Sequence, residues 1–336
     1  LDREREHSEK VYGLLRQRTQ EADFARQSTP NVTNVRLVDA ATEPRVPIRP
    51  RVATTVAMGV VLGLLAGMAV AWLRSQLDNT LKTPQDVERE LNVTFLGLLP
   101  QVDSDAKGKS RRNRRNVASR KLPQELAAHE DAKSGIAEAA RSLRTNIMFR
   151  DPDNPYRKLL VTSAAPGEGK TTVALSLAVA LAQGGLRVCV VDCDLRRPRL
   201  HRIFGRLGDM GVTNVLLGET TIDEVAKPTI VDNLWSIPSG PTPPNAADVL
   251  HSERFKRFID ELATRFDRVI LDSPPIVAVT DAAIVAKATD GVVFVSRAHK
   301  SSRHLSKQGL RLLRDVDATI IGVVLNAVDL NSFEYN

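Results

Sequence analysis

The sequence has few cysteines and few aromatic residues. Its two cysteines, Cys189 and Cys193, flank the apolar pair Val190-Val191. Two cysteines cannot build the disulfide framework of a small secreted domain, and their place beside an apolar run indicates small core residues in a reducing compartment rather than metal ligands. Aromatic residues make up 4% of the chain and none interrupts its basic run, which argues against a platform for nucleic acid.

Charge is absent from residues 52–73. At about 1.5 Å per residue, a helix of this length crosses a hydrocarbon core of roughly 30 Å. Arg51 and Arg74 bracket the run, and Trp72 lies where an interfacial aromatic is expected. The run predicts a transmembrane helix, with a buried helix of a soluble domain as the alternative.

Acidic residues are absent from residues 106–121, which are rich in Lys and Arg. Two interpretations stay open for this run. It is either a flexible, solvated linker or a segment that contacts anionic lipid headgroups, at about 1 kcal/mol per basic residue near the surface.

The segments beside the apolar run have their own patterns. Residues 1–27 are highly charged and predict a solvated helix, and residues 32–38 favour a strand. Prolines 44, 47 and 50 then favour a stiff, extended segment. After the apolar run, Thr83 is placed to cap a helix that has Pro84 in its first turn.

From residue 159 onward, short apolar runs alternate with helical stretches. Continuous apolar runs indicate strands that are covered on both faces, so the pattern predicts an α/β fold with a mainly parallel sheet flanked by helices. The predicted strands are 159–162, 188–191, 269–271, 292–295 and 320–325, and the predicted helices include 170–183, 246–265 and 302–315.

A phosphate-binding loop, Ala164–Thr171, follows the first of these strands and opens the first long helix. Gly167 and Gly169 let the backbone N–H groups turn toward phosphates, and the helix N-terminus adds partial positive charge. Lys170 is placed to reach the β- and γ-phosphates, and Thr171 to bind magnesium. The predicted nucleotide-binding residues in the loop are Gly167, Glu168, Gly169, Lys170, Thr171 and Thr172, with ATP and Mg²⁺ as ligands.

Three aspartates end predicted strands near this loop. Asp192 and Asp194 follow one strand, and Asp272 follows another. Ligands bind above the carboxyl ends of parallel strands, so these side chains point toward the nucleotide. Thr171, Asp192 and Asp272 form the predicted magnesium set. The alternative for each aspartate is a helix or turn cap.

At this point the residues resemble a family, the Wzc-like bacterial tyrosine kinases that act as polysaccharide co-polymerases. The resemblance rests on SAAPGEGKTT, VVDCDLRRPR, ILDSPP, PSGPTPPNAADVL, LDNTLKTPQDVEREL and GVVLNAVDL, and it covers nearly the whole chain. It implies a P-loop NTPase fold preceded by a transmembrane helix and the end of a periplasmic helical segment.

The resemblance also implies an activity, ATP-dependent phosphorylation of clustered C-terminal tyrosines on a neighbouring subunit. Lys170, Asp192, Asp194 and Asp272 are the catalytic candidates. A tyrosine hydroxyl, with a pKa near 10, needs a proton acceptor at neutral pH. Asp192 and Asp194 both remain open for that role, with a preference for Asp194.

Further residues take roles by resemblance. Glu138, Arg141 and Arg144 match the family's ring-interface pattern, and their spacing of three puts them on one helix face; an internal salt bridge is the alternative. Asn326 matches a position that contacts adenine in relatives. Arg197 and its neighbour Arg196 are candidates to steer an anionic tail or to stabilise phosphoryl charge.

The acceptor is harder to place because tyrosine is scarce. Besides Tyr12 and Tyr156, the chain has only Tyr335, which is the candidate phosphoacceptor. The chain starts at Leu1 rather than Met, so we expect a partial or processed chain with further tyrosines beyond Asn336.

ATP is cytosolic, so the nucleotide site predicts that the C-terminal part is cytoplasmic and that the N-terminal part lies outside. The resemblance implies that the membrane is a bacterial inner membrane. The expected regions are a periplasmic segment with a proline-rich end at 1–51, a transmembrane helix at 52–73, a juxtamembrane region and basic linker at 74–124, and a cytoplasmic kinase domain at 125–336. The resemblance implies as partners further copies of the chain in a ring, a polysaccharide polymerase, an outer-membrane export channel and a protein tyrosine phosphatase. The basic run adds membrane lipids, but not nucleic acid, to the expected partners.

Two other functions stay open. One is an ATP-binding oligomeric scaffold of the export machinery with little kinase activity. The other is a partition-type ATPase, against which Ala165 counts, because that class carries an additional lysine early in its phosphate loop.

Overall fold

The structure is a computed structural model that describes residues 2–28, 51–77, 79–101, 123–130, 134–153, 155–206, 208 and 210–329. The predicted strand at 32–38, the spaced prolines, the basic run 106–121 and Tyr335 lie outside these residues. The chain divides into two compact units, Leu1–Leu73 and Arg74–Asn336.

The described residues of the N-terminal unit are almost entirely helical, as predicted for residues 1–27 and 52–73. Helix α1 (Asp2–Ser28) exposes its few apolar side chains, among them Leu14 and Phe24. Helix α2 (Val52–Leu77) begins in this unit, and its stretch Val52–Arg74 has a mean hydropathy of 2.3 with none of its surface buried. By length and composition this stretch is able to cross a membrane.

The C-terminal unit is built on one eight-stranded sheet. Its strand order is β1-β8-β7-β2-β6-β3-β5-β4, and every neighbouring pair is parallel except β4 with β5. The strands are β1 Phe95–Pro100, β2 Lys158–Ser163, β3 Val188–Asp192, β4 Lys227–Pro228, β5 Leu234–Ile237, β6 Arg268–Asp272, β7 Gly291–Arg297 and β8 Ile320–Val328. The predicted mainly parallel sheet is confirmed, and all five predicted strands are present.

Helices cover both faces of the sheet. They are α3 Pro84–Leu91, α4 Ala127–Glu130 after a 3₁₀ turn at Gln124–Leu126, α5 Gly135–Met148, α6 Lys170–Gln183, α7 Leu200–Ile203, α8 Val212–Leu217, α9 Ile222–Val225, α10 Ala246–His251, α11 Glu253–Arg265, α12 Asp281–Ala286 and α13 Arg303–Arg314. Buried apolar residues form one cluster on each side of the strands, and alternate residues of β2 such as Leu159 and Leu160 belong to different clusters.

The predicted helix over 246–265 is two helices. Ser252 separates α10 from α11 because its backbone is extended, with φ −71° and ψ 149°. Its Oγ accepts a hydrogen bond of 3.3 Å from the N–H of Phe255 and so caps α11. An N-cap serine inside an apolar pattern marks the start of a new helix.

The segment after α2 adds an edge strand that the sequence did not predict. Strand β1 pairs in parallel with β8, and its Leu96 and Leu99 are buried. Gly97 and Pro100 have low strand propensity, so the sequence pattern does not predict a strand here. The predicted helix start is confirmed, since Thr83 caps α3 and Pro84 occupies its first turn.

Candidate active site

The phosphate-binding loop connects the end of β2 to the N-terminus of α6. Gly167 and Gly169 have φ angles of 78° and 91°, a region that side-chain-bearing residues rarely adopt. A Cβ atom on Gly169 would also lie 1.9 Å from Nδ2 of Asn326. Glycine is therefore required at position 169 for two reasons, the positive φ angle and the close approach of the Asn326 side chain.

The ends of β7 and β8 hold the loop from outside. Asn326 Nδ2 donates a hydrogen bond of 2.9 Å to the carbonyl of Glu168, and Arg297 Nη1 donates one of 3.2 Å to the carbonyl of Gly167. Asn326 therefore lies against the nucleotide loop, where it supports the loop backbone. Its predicted contact with adenine stays a prediction.

The Glu168 side chain is buried inside the loop. Its carboxylate accepts a hydrogen bond of 2.8 Å from the N–H of Ala165 and a short one from Ser301 Oγ. Burial raises the pKa of Glu168, and these hydrogen bonds oppose the shift. Because Ser301 lies 133 positions away in the chain, its role had no local signal in the sequence.

Thr171 and Asp272 meet at the base of the loop. Thr171 Oγ1 donates a hydrogen bond of 2.7 Å to Asp272 Oδ2, which confirms that the two predicted residues are neighbours. Asp272 Oδ1 is buried and has no hydrogen-bond partner among the described residues. Burial raises the pKa of Asp272, and the charge of Lys170 counteracts this shift.

An unpartnered carboxylate oxygen beside a threonine hydroxyl fits a magnesium ion. Over the described part of the chain, no three His, Cys, Asp or Glu side chains are grouped to hold a metal by themselves. Magnesium does not require such a group, because it keeps several waters and binds through one or two carboxylates together with substrate phosphates.

Asp192 and Asp194 differ in what they contact. The Asp192 carboxylate is fully buried and accepts hydrogen bonds from the backbone N–H groups of Asp194, Arg199 and Leu200, at 3.2, 2.9 and 3.0 Å. Burial, with the nearby Asp272 charge, raises the pKa of Asp192. The Asp192 side chain thus stabilises the loop after β3. These contacts fit the turn-capping role, which was the sequence-based alternative to metal binding.

Asp194 lines the open site instead. Its Oδ2 lies 3.7 Å from Nζ of Lys170, and its Oδ1 accepts a hydrogen bond of 3.0 Å from the N–H of Arg197. Asp194 also borders an open cavity of about 1230 Å³, whose lining does not include Asp192. Of the two candidate bases, Asp194 is the one that borders open space, and the choice between them stays a prediction.

Arg196 is paired with a carboxylate, although its side chain is 46% exposed. It makes two hydrogen bonds, of 2.7 and 3.0 Å, to the carboxylate of Asp281, which is fully buried at the start of α12. This bidentate pair fixes the loop after β3 to the helix that follows β6. No local pattern in the sequence indicates Asp281, because the pair joins residues 85 positions apart.

The predicted ring-interface residues lie on α5. Arg141 Nη2 is 2.6 Å from Glu138 Oε2, and this pair is partly exposed, with 33% and 70% of the two side chains accessible. Arg144 instead donates a hydrogen bond of 2.9 Å to the carbonyl of Ala180 at the end of α6. The structure therefore separates Arg144 from the exposed pair, and the interface role stays a prediction for all three.

Two families match parts of the chain. Residues 154–333 match the family described as ParA, NUBPL iron-transfer P-loop NTPase, and residues 1–76 match the family described as GNVR, a G-rich domain on putative tyrosine kinase. The first match spans the phosphate loop and every strand from β2 to β8.

Curated relatives carry kinase names. The chain is 33% identical over 304 residues to the putative tyrosine-protein kinase EpsB of Ralstonia nicotianae, which covers 90% of this chain and 40% of that protein. It is 35% identical over 212 residues to the putative tyrosine-protein kinase CapB of Staphylococcus aureus, covering 62% of this chain and 93% of that one. The chain thus spans less than half the length of EpsB but nearly all of CapB.

A solved structure matches the C-terminal unit. The kinase domain of the Escherichia coli tyrosine kinase ETK superposes with a TM-score of 0.67 at 27% identity, covering 75% of this chain and 96% of that domain.

Proposed function

The chain belongs to the Wzc-like bacterial tyrosine kinase family, and we propose that it is a membrane-anchored, ATP-dependent protein tyrosine autokinase that regulates exopolysaccharide or capsule polymerisation and export. The observation that carries this proposal is the arrangement at the phosphate loop. Thr171 and Asp272 meet beneath the loop, while Lys170 and Asp194 face each other at its open side.

Each residue has a distinct role in the proposal. Lys170 and the backbone N–H groups of the loop bind the ATP phosphates, and Gly167, Gly169 and Thr172 belong to the same contact surface. Thr171 and Asp272 hold magnesium, with Asp192 ordering the adjoining loop. Bound magnesium neutralises charge on the transferred phosphoryl group.

Asp194 is the proposed proton acceptor. The acceptor tyrosine hydroxyl loses its proton to the Asp194 carboxylate as its oxygen attacks the γ-phosphorus, and ADP leaves. The separation of 3.7 Å between Lys170 Nζ and Asp194 Oδ2 supports this role, because the proposed phosphate-binding and proton-accepting groups are neighbours. Tyr335 is the proposed acceptor in this chain.

The proposal extends to location and partners. We place the Val52–Arg74 helix in the inner membrane, the N-terminal segment in the periplasm and residues 125–336 in the cytoplasm, where ATP is present. The proposed partners are other copies in a ring, through Glu138 and Arg141, together with the polymerase, the export channel, a tyrosine phosphatase and membrane lipids.

Lys170→Ala tests the proposal. The purified chain is incubated with ATP and magnesium, and phosphotyrosine is detected by mass spectrometry. We expect phosphotyrosine in the parent chain and at least about 100-fold less in the variant, because phosphate stabilisation is lost in the transition state. Absence of phosphotyrosine from the parent, also with an added tyrosine peptide, would instead favour the ATP-binding scaffold.

A further inference from the structure

The cavity beside the phosphate loop has a strongly positive lining. Among the described residues that line it, one carboxylate, Asp194, stands against six basic side chains. These are Lys170, Arg196, Arg197, Arg199, Arg202 and Arg206. Magnesium and the loop already neutralise much of the nucleotide's charge, so this lining retains positive charge for a second anionic ligand.

Two of the arginines are committed to the protein's own structure. Arg196 is bound by the buried carboxylate of Asp281. Arg206 donates hydrogen bonds to the carbonyls of Lys227 and Ser236, at 3.3 and 3.1 Å, beside strands β4 and β5. Neither is free to select a ligand.

Arg197 and Arg202 are different. Both side chains are exposed, and neither is paired with a carboxylate in the described part of the chain. The one side-chain hydrogen bond of Arg202 joins its Nε to Nε2 of His201, at 3.3 Å. Arg199 is intermediate, because it is 60% exposed and lies 3.9 Å from Glu125.

Arg197 lies next to the proposed reaction centre. Its backbone N–H donates to the carboxylate of Asp194, the proposed proton acceptor. A tyrosine whose hydroxyl reaches Asp194 therefore brings its chain neighbours close to Arg197. Arg202 lies farther along the same wall, on α7.

We propose that Arg197 and Arg202 select acceptor segments that carry a glutamate or aspartate beside the tyrosine. This inference rests on the proposed tyrosine kinase activity and names the acceptor class for that site. The chain's own sequence contains such a segment, since Glu334 directly precedes Tyr335.

The binding test uses a labelled peptide that copies residues 329–336 and carries Tyr335→Phe, so that it binds without reacting. Its affinity for the full chain is measured by fluorescence anisotropy and compared with the same peptide carrying Glu334→Gln or Glu334→Lys. Two exposed ion pairs predict a preference of about five-fold for glutamate over glutamine. Screening predicts that high salt reduces this preference.

Variants of the protein show whether the two arginines cause the preference. Arg197→Gln combined with Arg202→Gln should make the peptides bind equally. Arg197→Glu should reverse the order, so that the Glu334→Lys peptide binds best, a result that a merely structural role would not produce. Arg257→Gln, an exposed residue of α11 away from the cavity, is the matched control and should keep the preference.

Two results would overturn the proposal. One is a preference for glutamate that persists in the double variant. The other is a double variant whose KM for ATP rises by about ten-fold with the peptide preference unchanged, which would assign these arginines to the nucleotide. A failure of the kinase proposal is distinguishable, because tyrosine peptides would then gain no phosphate while the unreactive peptides still bind in the expected order.

Discussion

At the scale of single residues, the site depends on a buried carboxylate that lacks a partner. Asp272 Oδ2 is satisfied by Thr171, but Oδ1 is not satisfied by any described residue. An ionised, incompletely paired carboxylate in the interior destabilises the nucleotide-free fold. The same oxygen is available to bind magnesium. At this position the protein therefore has lower folding stability but a ligand for the metal.

Asp272→Asn tests this exchange through pH. Burial raises the pKa of Asp272 from 3.8 to about 6, so the folded state holds this proton more tightly than the unfolded state. The contribution of Asp272 to stability therefore falls as pH rises through that window, and its penalty is complete above it. We expect the nucleotide-free variant to melt higher than the parent at pH 8, with the difference shrinking as the pH falls toward 4.

Differential scanning fluorimetry across this pH range measures the effect. Asparagine keeps an oxygen that accepts from Thr171, so the variant removes charge with little change in shape. Added ATP should stabilise the parent more with magnesium than without it, and this magnesium-dependent gain should be lost in the variant. A variant that melts lower than the parent at pH 8 would contradict the argument.

The residues of this site that are predictable from the sequence lie at the ends of apolar strands, in the alternating pattern of strands and helices. Asp272 and Asp194 were found because they follow apolar strands, and the structure brings both to the edge of the sheet near Lys170. Asp281 and Ser301 were not found. Their roles come from contacts with residues far away in the chain, and no local spacing encodes such contacts.

At the scale of secondary structure elements, the loop between β7 and α13 supports the phosphate loop. Ser301 is buried, donates to the Glu168 carboxylate and accepts a hydrogen bond of 2.6 Å from the N–H of Arg297. The carbonyl of Ser301 also accepts a hydrogen bond of 3.0 Å from the N–H of Leu81, four residues after α2 ends. One serine thus connects the segment after the apolar helix to the nucleotide loop.

Ser301→Ala should weaken this support. The change removes the hydroxyl that accepts from the Arg297 N–H and donates to the Glu168 carboxylate, at a cost of about 1–3 kcal/mol in folding free energy. We expect a lower melting temperature and weaker ATP binding by isothermal titration calorimetry.

Ser302→Ala is the matched control. Ser302 is the next residue along and makes no side-chain capping bond to α13, so its hydroxyl does not contribute to the loop. Equal effects of the two alanine substitutions would show that the Ser301 hydroxyl has no special role.

Strands and helices are predictable from the sequence where the run of apolar residues is continuous. The five apolar runs became strands because parallel strands are covered on both faces, and α6 spans the predicted residues 170–183. Strand β1 was missed because an edge strand with glycine and proline carries a weak pattern, and its place beside β8 is set by tertiary pairing.

At the scale of the whole molecule, the GNVR match at 1–76 covers the N-terminal unit, and the P-loop NTPase match at 154–333 lies within the C-terminal unit. The sequence indicated both, since a long uncharged run and a phosphate loop are local features. How copies of the chain meet is not a local feature. It depends on which exposed charges remain after folding.

On helix α5, Arg144 makes a contact within the subunit, so its charge is not simply available to a neighbouring copy. Arg144 bonds a carbonyl at the C-terminal end of α6, where a cation is favourable. Replacing it by alanine should lower the melting temperature of each subunit whether or not the chain self-associates. A variant that removes Arg144 together with its neighbours would therefore mix a folding defect with an interface defect.

Glu138→Ala combined with Arg141→Ala isolates the interface. An exposed pair of this kind contributes about 0–1 kcal/mol to folding, so the melting temperature should stay close to that of the parent. If the pair lies between subunits, the oligomeric mass of the detergent-solubilised chain should fall in light scattering after correction for the micelle. Arg144→Ala alone should show the opposite pattern, with a lower melting temperature and a smaller change in mass.

A charge swap, Glu138→Arg with Arg141→Glu, completes the test. The swapped side chains still pair within α5 at the same spacing, so a purely internal salt bridge would leave the mass unchanged. The melting temperature would fall only slightly, because the swap places a positive charge in the first turn of α5. Contacts in a ring are heterologous, so on the neighbouring subunit these two side chains would face a different patch whose charges are not swapped. Like charges would then be juxtaposed across the interface and oppose association. Loss of oligomeric mass in the swap variant, at a melting temperature close to that of the parent, is therefore the result that the proposed ring requires. An unchanged mass would leave Glu138 and Arg141 as a surface pair within each subunit.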